Sequence, residues 1–111
     1  MDSSQQAVHD AFEELHTALT NAFFAASPGT EKDRLRHAAD AVSDIVTSLN
    51  REDLKSRSAD FASLKNDVVL VTKELTDLQA SINGIVHDIE IATSVVQAID
   101  KGLELGSKFF V

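Results

Sequence analysis

The fold is decided by residues 61–103, FASLKNDVVLVTKELTDLQASINGIVHDIEIATSVVQAIDKGL, in which apolar residues recur at alternating spacings of three and four. This spacing places their side chains on one stripe of an α-helix, the a and d positions of a heptad repeat. We call this stripe the main seam; its members are Phe61, Leu64, Val68, Val71, Leu75, Leu78, Ile82, Ile85, Ile89, Ala92, Val96, Ile99 and Leu103. Such a seam indicates packing against other helices. Leu75→Ala and Ile89→Ala are therefore expected to lower the free energy of unfolding by similar amounts, roughly 2 to 5 kcal/mol each.

Two shorter helices with the same apolar spacing are predicted before this stretch. The first spans about residues 4–26, with Ser3 as its N-cap, and ends at the turn signal Ser27-Pro28-Gly29. The second spans about residues 31–49 with Thr30 as its cap. Asn50 is expected to cap a third helix that covers about residues 52–107. The seams of the two shorter helices are Val8, Phe12, Leu15, Leu19, Ala22 and Ala26, and Leu35, Ala38, Val42, Ile45 and Leu49.

These elements predict an all-α fold, an antiparallel helical bundle in which two shorter helices pack on one long C-terminal helix, within a single domain of residues 1–111. A continuous third helix would be roughly 80 Å long. The alternative is a four-helix bundle broken at Asn83-Gly84, a common turn dipeptide. Continuity is favoured because Ile82 and Ile85 keep the seam in phase across that dipeptide, and because no good N-cap follows it.

A second apolar seam distinguishes the C-terminal quarter, and with Phe110 it forms the predicted partner-binding surface. Two readings of this seam stay open, a surface for a protein partner or for self-association, and the central core of the monomer. Ala98, Gly102 and Gly106 are small enough to let another helix approach closely. The predicted partner-binding residues are Ile91, Val95, Ala98, Gly102, Leu105, Phe109 and Phe110.

The charge of the chain narrows its classes of partner. The net charge is −8, and residues 1–27 contain four acidic residues with no lysine or arginine. Nucleic acids and anionic membranes are therefore not expected as partners, because both require clustered positive charge. The absence of cysteine, of a signal-peptide pattern and of a long apolar run makes the cytoplasm the expected location, with non-classical export left open.

One group of residues has the character of metal ligands. His9, Glu13 and His16 lie on one helical face, and Glu13 with His16 forms the E-x-x-H pattern used by di-iron bundles. Those bundles need a second such motif, which this chain does not contain. We therefore interpret the group as solvated histidines beside glutamate and predict no metal site, no cofactor-binding residue and no catalytic residue, and hence no enzyme.

The sequence predicts a non-catalytic protein–protein interaction module of helical-bundle or coiled-coil type. Small adaptors, immunity or antitoxin-type inhibitors and secretion chaperones all fit this description. Binding through the apolar seams, and a homo-oligomer, are expected. The alternative is an amphipathic helical protein that binds lipid or another apolar surface.

Overall fold

A computed structural model describes residues 3–110, which contain four α-helices. Predictions that concern Met1, Asp2 and Val111 lie outside the described residues. The helices are α1 (Ser3–Ala25), α2 (Thr30–Leu49), α3 (Ser58–Ile85) and α4 (Ile89–Phe109), with one 3₁₀ turn at Leu54–Ser56. The helices pack against one another around one apolar core. The predicted all-α bundle is confirmed.

The four helices are arranged in a ring. α1 packs against α2 and α4, and α3 packs less extensively against the same two neighbours. The bundle is 43 Å long, which matches the length of about 42 Å expected for the 28 residues of α3. None of the described helices is long and apolar enough to cross a membrane.

The first two helices follow their sequence pattern closely. Every residue of the two predicted short seams is buried. The turn between them contains Gly29, whose φ of 144° is in a region that side-chain-bearing residues rarely adopt. The cap expected at Thr30 does not form, because Thr30 is already helical and no side chain caps the start of α2. The predicted hairpin of α1 and α2 is therefore correct, and only its capping details differ.

The predicted start of the third helix at residue 52 is wrong. Asn50 ends α2, where its backbone N–H bonds back to Val46 and Thr47, and α3 begins only at Ser58. Gln5, which is 2% exposed, donates to the carbonyl oxygens of Leu49 at 2.9 Å and Arg51 at 2.7 Å. Buried carbonyls need such partners, so Gln5 stabilises the non-helical link and ties it to α1.

The prediction of a continuous third helix is also wrong, because the chain reverses direction at residues 86–88. α3 runs through Asn83-Gly84 and ends at Ile85, so the break lies beyond the dipeptide that the alternative named. Val86 is extended and buried. The Asp88 side chain accepts from the backbone N–H groups of Glu90 at 3.0 Å and Ile91 at 3.2 Å. The chain thus has an N-cap after Gly84 that the sequence interpretation overlooked.

This reversal changes the expected cost of truncating two residues of the main seam. Leu75 is completely buried, whereas Ile89, at the first position of α4, is 80% exposed. We expect Leu75→Ala to lower the free energy of unfolding by roughly 2 to 5 kcal/mol and Ile89→Ala by less than about 1 kcal/mol. Chemical denaturation measures both values. Equal losses would instead support the continuous helix.

The cap of α4 gives a second prediction. Asp88→Ala removes the acceptor for two backbone N–H groups and should lower the free energy of unfolding by about 0.5 to 2 kcal/mol, with Asp88→Asn losing less. His87→Ala is the matched control, because the exposed neighbouring side chain should change stability by no more than about 0.5 kcal/mol. If His87→Ala and Asp88→Ala are equally stable in urea titrations, Asp88 is not a cap.

Candidate partner-binding site

The predicted second seam lies mostly inside the bundle. Val95, Gly102, Phe109 and Phe110 are buried, and the other three members of the set are half-buried. The buried residues of α4 recur from Ala92 to Phe109 at spacings of three and four, and all but Gly106 come from one or the other predicted seam. The two seams are therefore two edges of one stripe that faces the core. Partner binding by this seam stays a prediction, and it now requires α4 to move away from its neighbours.

Close packing explains the small residues of α4. A Cβ atom at Gly102 would lie 3.4 Å from the ring of Phe12, and one at Gly106 would lie 3.7 Å from the same ring. Beside this contact, Phe61 packs on Phe109 and Phe110, with ring centroids 5.7 and 5.4 Å away. The expectation that small residues permit close helix approach is confirmed at the two glycines, where the neighbouring helix is α1.

The candidate metal group is arranged differently from the sequence expectation. The interpretation of His9 as a solvated histidine is wrong, because this residue is buried. Asp10, not His16, joins His9 and Glu13 in a cluster of potential ligand atoms within 4.8 Å of one another. The two ring nitrogens of His9 point to different carboxylates, Nδ1 to Asp10 at 3.0 Å and Nε2 to Glu13 at 3.5 Å. Because a metal ion binds one nitrogen of an imidazole, this arrangement resembles a hydrogen-bonded histidine more than a set of ligands.

Two large apolar side chains are exposed in the middle of α3. They belong to the run Val68–Val71, whose outer members Val68 and Val71 are buried in the main seam. The inner members, Val69 and Leu70, are 61% and 71% exposed. Each also lines a groove between α3 and a neighbouring helix, Val69 on the side of α4 and Leu70 on the side of α2. Because the two exposed side chains are adjacent and flank two grooves, this face of α3 is a candidate contact surface.

The groove between α2 and α3 combines apolar and acidic side chains, and we call it the α2/α3 groove. Its volume is about 330 Å³, and Ile45 and Val71 are its most buried members. Leu70 forms an exposed edge beside the half-buried Ala41. The remaining lining residues are His37, Asp44, Ser48, Asp67 and Glu74.

One ion pair crosses the α2/α3 groove. His37 Nδ1 lies 2.8 Å from Glu74 Oε1, and the two residues belong to α2 and α3. This hydrogen bond, more than any other effect, raises the pKa of His37 above its usual 6.5, and the charges of Glu74 and Asp40 act in the same direction. Because the folded-state pKa is raised, the charged pair is complete below about pH 6.5 and is lost as the pH rises through the raised value.

Two other grooves differ from the α2/α3 groove in composition. The groove of about 390 Å³ between α1 and α4 has only alanines as apolar lining, and Glu14 and Lys101 pair across it at 3.3 Å. The groove of about 220 Å³ between α3 and α4 is apolar, and its charged lining residue is Lys65. Among the described residues, the α2/α3 groove thus joins large apolar side chains with several acidic ones.

None of these residues belonged to the predicted partner-binding set. The sequence contained a signal for this exposed apolar surface, because Val69 and Leu70 are apolar residues at positions that lie off the main seam. Their meaning depends on α2, which supplies the opposite wall of the groove. Comparison with protein-family models, with curated proteins and with solved structures found no match for this chain.

The ion pair across the groove gives a third prediction. Glu74→Gln should lower the pKa of His37 toward 6.5, because it removes both the hydrogen bond to a carboxylate and its charge. NMR titration of the imidazole measures the pKa directly. Asp77→Asn, an exposed α3 position outside the groove lining, removes the same charge and should leave most of the shift in place. Equal effects of the two substitutions would contradict a specific contact between His37 and Glu74.

Proposed function

We propose that this protein is a non-catalytic protein–protein interaction module that binds its partner at the outer surface of α3, through the α2/α3 groove. The observation that carries the proposal is Leu70, which is 71% exposed in the middle of a helix at the edge of a groove with an apolar floor. Leucine at such a position contributes nothing evident to the core, and a helix-lined groove suits a partner helix. Adaptors, immunity or antitoxin-type inhibitors and secretion chaperones all act through surfaces of this kind.

Several further expectations belong to this proposal. Self-association remains a prediction. A continuous third helix of roughly 80 Å would have left apolar surface uncovered for it, whereas α3 and α4 pack against each other. The net charge of −8 supports a protein partner over nucleic acid or anionic membrane. A cytoplasmic location is likewise proposed on the absence of cysteine alone.

Substitution of Leu70 by Asp tests the proposal. The side chain is exposed, so we expect Leu70→Asp to change the free energy of unfolding by no more than about 0.5 kcal/mol. An extract of the source organism is passed over columns that carry the wild-type chain, Leu70→Asp or the control Glu13→Gln on α1. Proteins that the wild-type chain retains should be lost from the Leu70→Asp column and should stay bound to the Glu13→Gln column. The retained protein is then purified and titrated against both variants. Equal binding to wild type and Leu70→Asp would contradict the proposal.

The rival function, binding to lipid or another apolar surface, makes a different prediction. If the groove serves a protein partner, the wild-type protein should not co-sediment with neutral phosphatidylcholine vesicles. If the vesicles do bind it, and Leu70→Asp prevents this, the exposed apolar residues of α3 serve a lipid surface and the protein-binding proposal is wrong.

A further inference from the structure

We propose that the partner segment accepted by the α2/α3 groove is a cationic amphipathic helix. Its apolar side chains would lie on Ala41, Ile45 and Leu70, and its lysine or arginine side chains would reach the acidic groups along the groove. This inference rests on the proposed function, because it names the chemical class of the partner for the same surface.

The dimensions of the groove suit a short helix. Its lining on α2 extends from His37 to Ser48, and its lining on α3 from Asp67 to Glu74. At 1.5 Å per residue these stretches are about 16 and 10 Å long, two to three helical turns. Because both walls are helices, a third helix can rest between them with a residue from each turn on the apolar floor. A contact over about 7 to 11 residues of the occupant is therefore expected.

The charges of the groove select a cation. Asp44 and Asp67 are exposed, and the side chain of Glu74, which pairs with His37, is 28% exposed. No lysine or arginine is among the described residues that line the groove. In a chain of net charge −8, these carboxylates add to a field that speeds the approach of a positive segment.

The same charges argue against a second copy of this chain as the occupant. Two copies placed groove to groove would bring Asp44, Asp67 and Glu74 of each copy against those of the other. Each copy also carries a net charge of −8. Like charges placed opposite each other in an interface oppose its formation. A partner of opposite charge avoids this cost.

His37 competes with such a partner for Glu74. The charged groups that act on its ring are Glu74 from α3 and Asp40 from α2, while Asp44 and Asp67 also line the groove. When His37 is protonated it supplies the cation that pairs with Glu74, and when it is neutral that carboxylate is free for the partner. Affinity for a cationic helix should therefore rise by about two- to five-fold as the pH increases through the raised pKa of His37. His37→Gln should make the affinity nearly independent of pH over this range.

A synthetic peptide tests the inference with a defined probe. The probe is a 14-residue helix of leucine and lysine with all its leucines on one face, and its binding is measured by fluorescence anisotropy at low salt. One control peptide has glutamate in place of lysine. A second control has the same composition in an order that gives no apolar face. The probe should bind, and both control peptides should bind at least about ten-fold more weakly.

Two triple variants separate the groove from general charge attraction. Each removes three negative charges, so their net charges are identical. The groove variant is Asp44→Asn, Asp67→Asn and Glu74→Gln, and the control variant on α1 is Asp10→Asn, Glu13→Gln and Glu14→Gln. We expect the groove variant to weaken peptide binding by about ten-fold or more and the control variant by less than about three-fold. Circular dichroism and denaturation confirm that both variants are folded.

Equal weakening by the two triple variants would show attraction to net charge alone and would overturn the inference. The inference would also be overturned if the reordered peptide bound as tightly as the probe. The proposed function fails separately. If Leu70→Asp loses a natural partner while the cationic peptide fails to bind, the surface is correct and the class of partner is wrong. If Leu70→Asp changes neither the partner nor the peptide, both proposals are wrong.

Discussion

The reversal of the chain at Val86–Asp88 is the constraint on which the rest of the structure depends. The apolar stripe of residues 61–103 is longer than α1 or α2, so a straight helix would leave part of it exposed to water. Folding the stripe back at its middle brings α3 beside α4 and lets both contact α2 or α1. Hydrophobic burial supplies the driving force, while the buried Val86 and the Asp88 cap fix the place of the turn.

The ring of four helices also determines where the surface is apolar. α1 packs extensively against both α2 and α4, and apart from Ala7 its exposed residues between Gln6 and Thr17 are acidic or polar. α3 packs less extensively against the same neighbours. The grooves on its two sides retain apolar walls, and Val69 and Leu70 stand between these grooves. The proposed binding surface is thus the outer side of the helix that the core holds least tightly.

The sequence predicted the helices better than it predicted their ends and their surface. Spacing alone identified the buried residues of α3 and most of those of α1 and α2, because burial of an amphipathic helix follows its period. It missed Gln5, His9, Ala11 and Ala39. It failed at Ile89, where the heptad phase continues although the helix does not, since phase carries no information about a chain reversal. It also treated two edges of the α4 core stripe as separate seams, because the width of a buried stripe depends on how many neighbours a helix has. The α2/α3 groove could not be predicted, because its walls come from residues 37–48 and 67–74, whose proximity is a consequence of the tertiary fold.

The most direct test of this account measures whether the two ends of the main stripe are adjacent. The chain has no cysteine, so spin labels can be attached to cysteines introduced at the exposed Ser63 and Ser107, in a sample diluted with unlabelled protein. Pulsed electron paramagnetic resonance should then give a distance within about the 22 Å width of the bundle, as the contact between Phe61 and Phe109 requires. A continuous helix would instead separate the same positions by about 66 Å. That longer distance would contradict the reversal at Val86–Asp88 and with it the groove on which the proposed function depends.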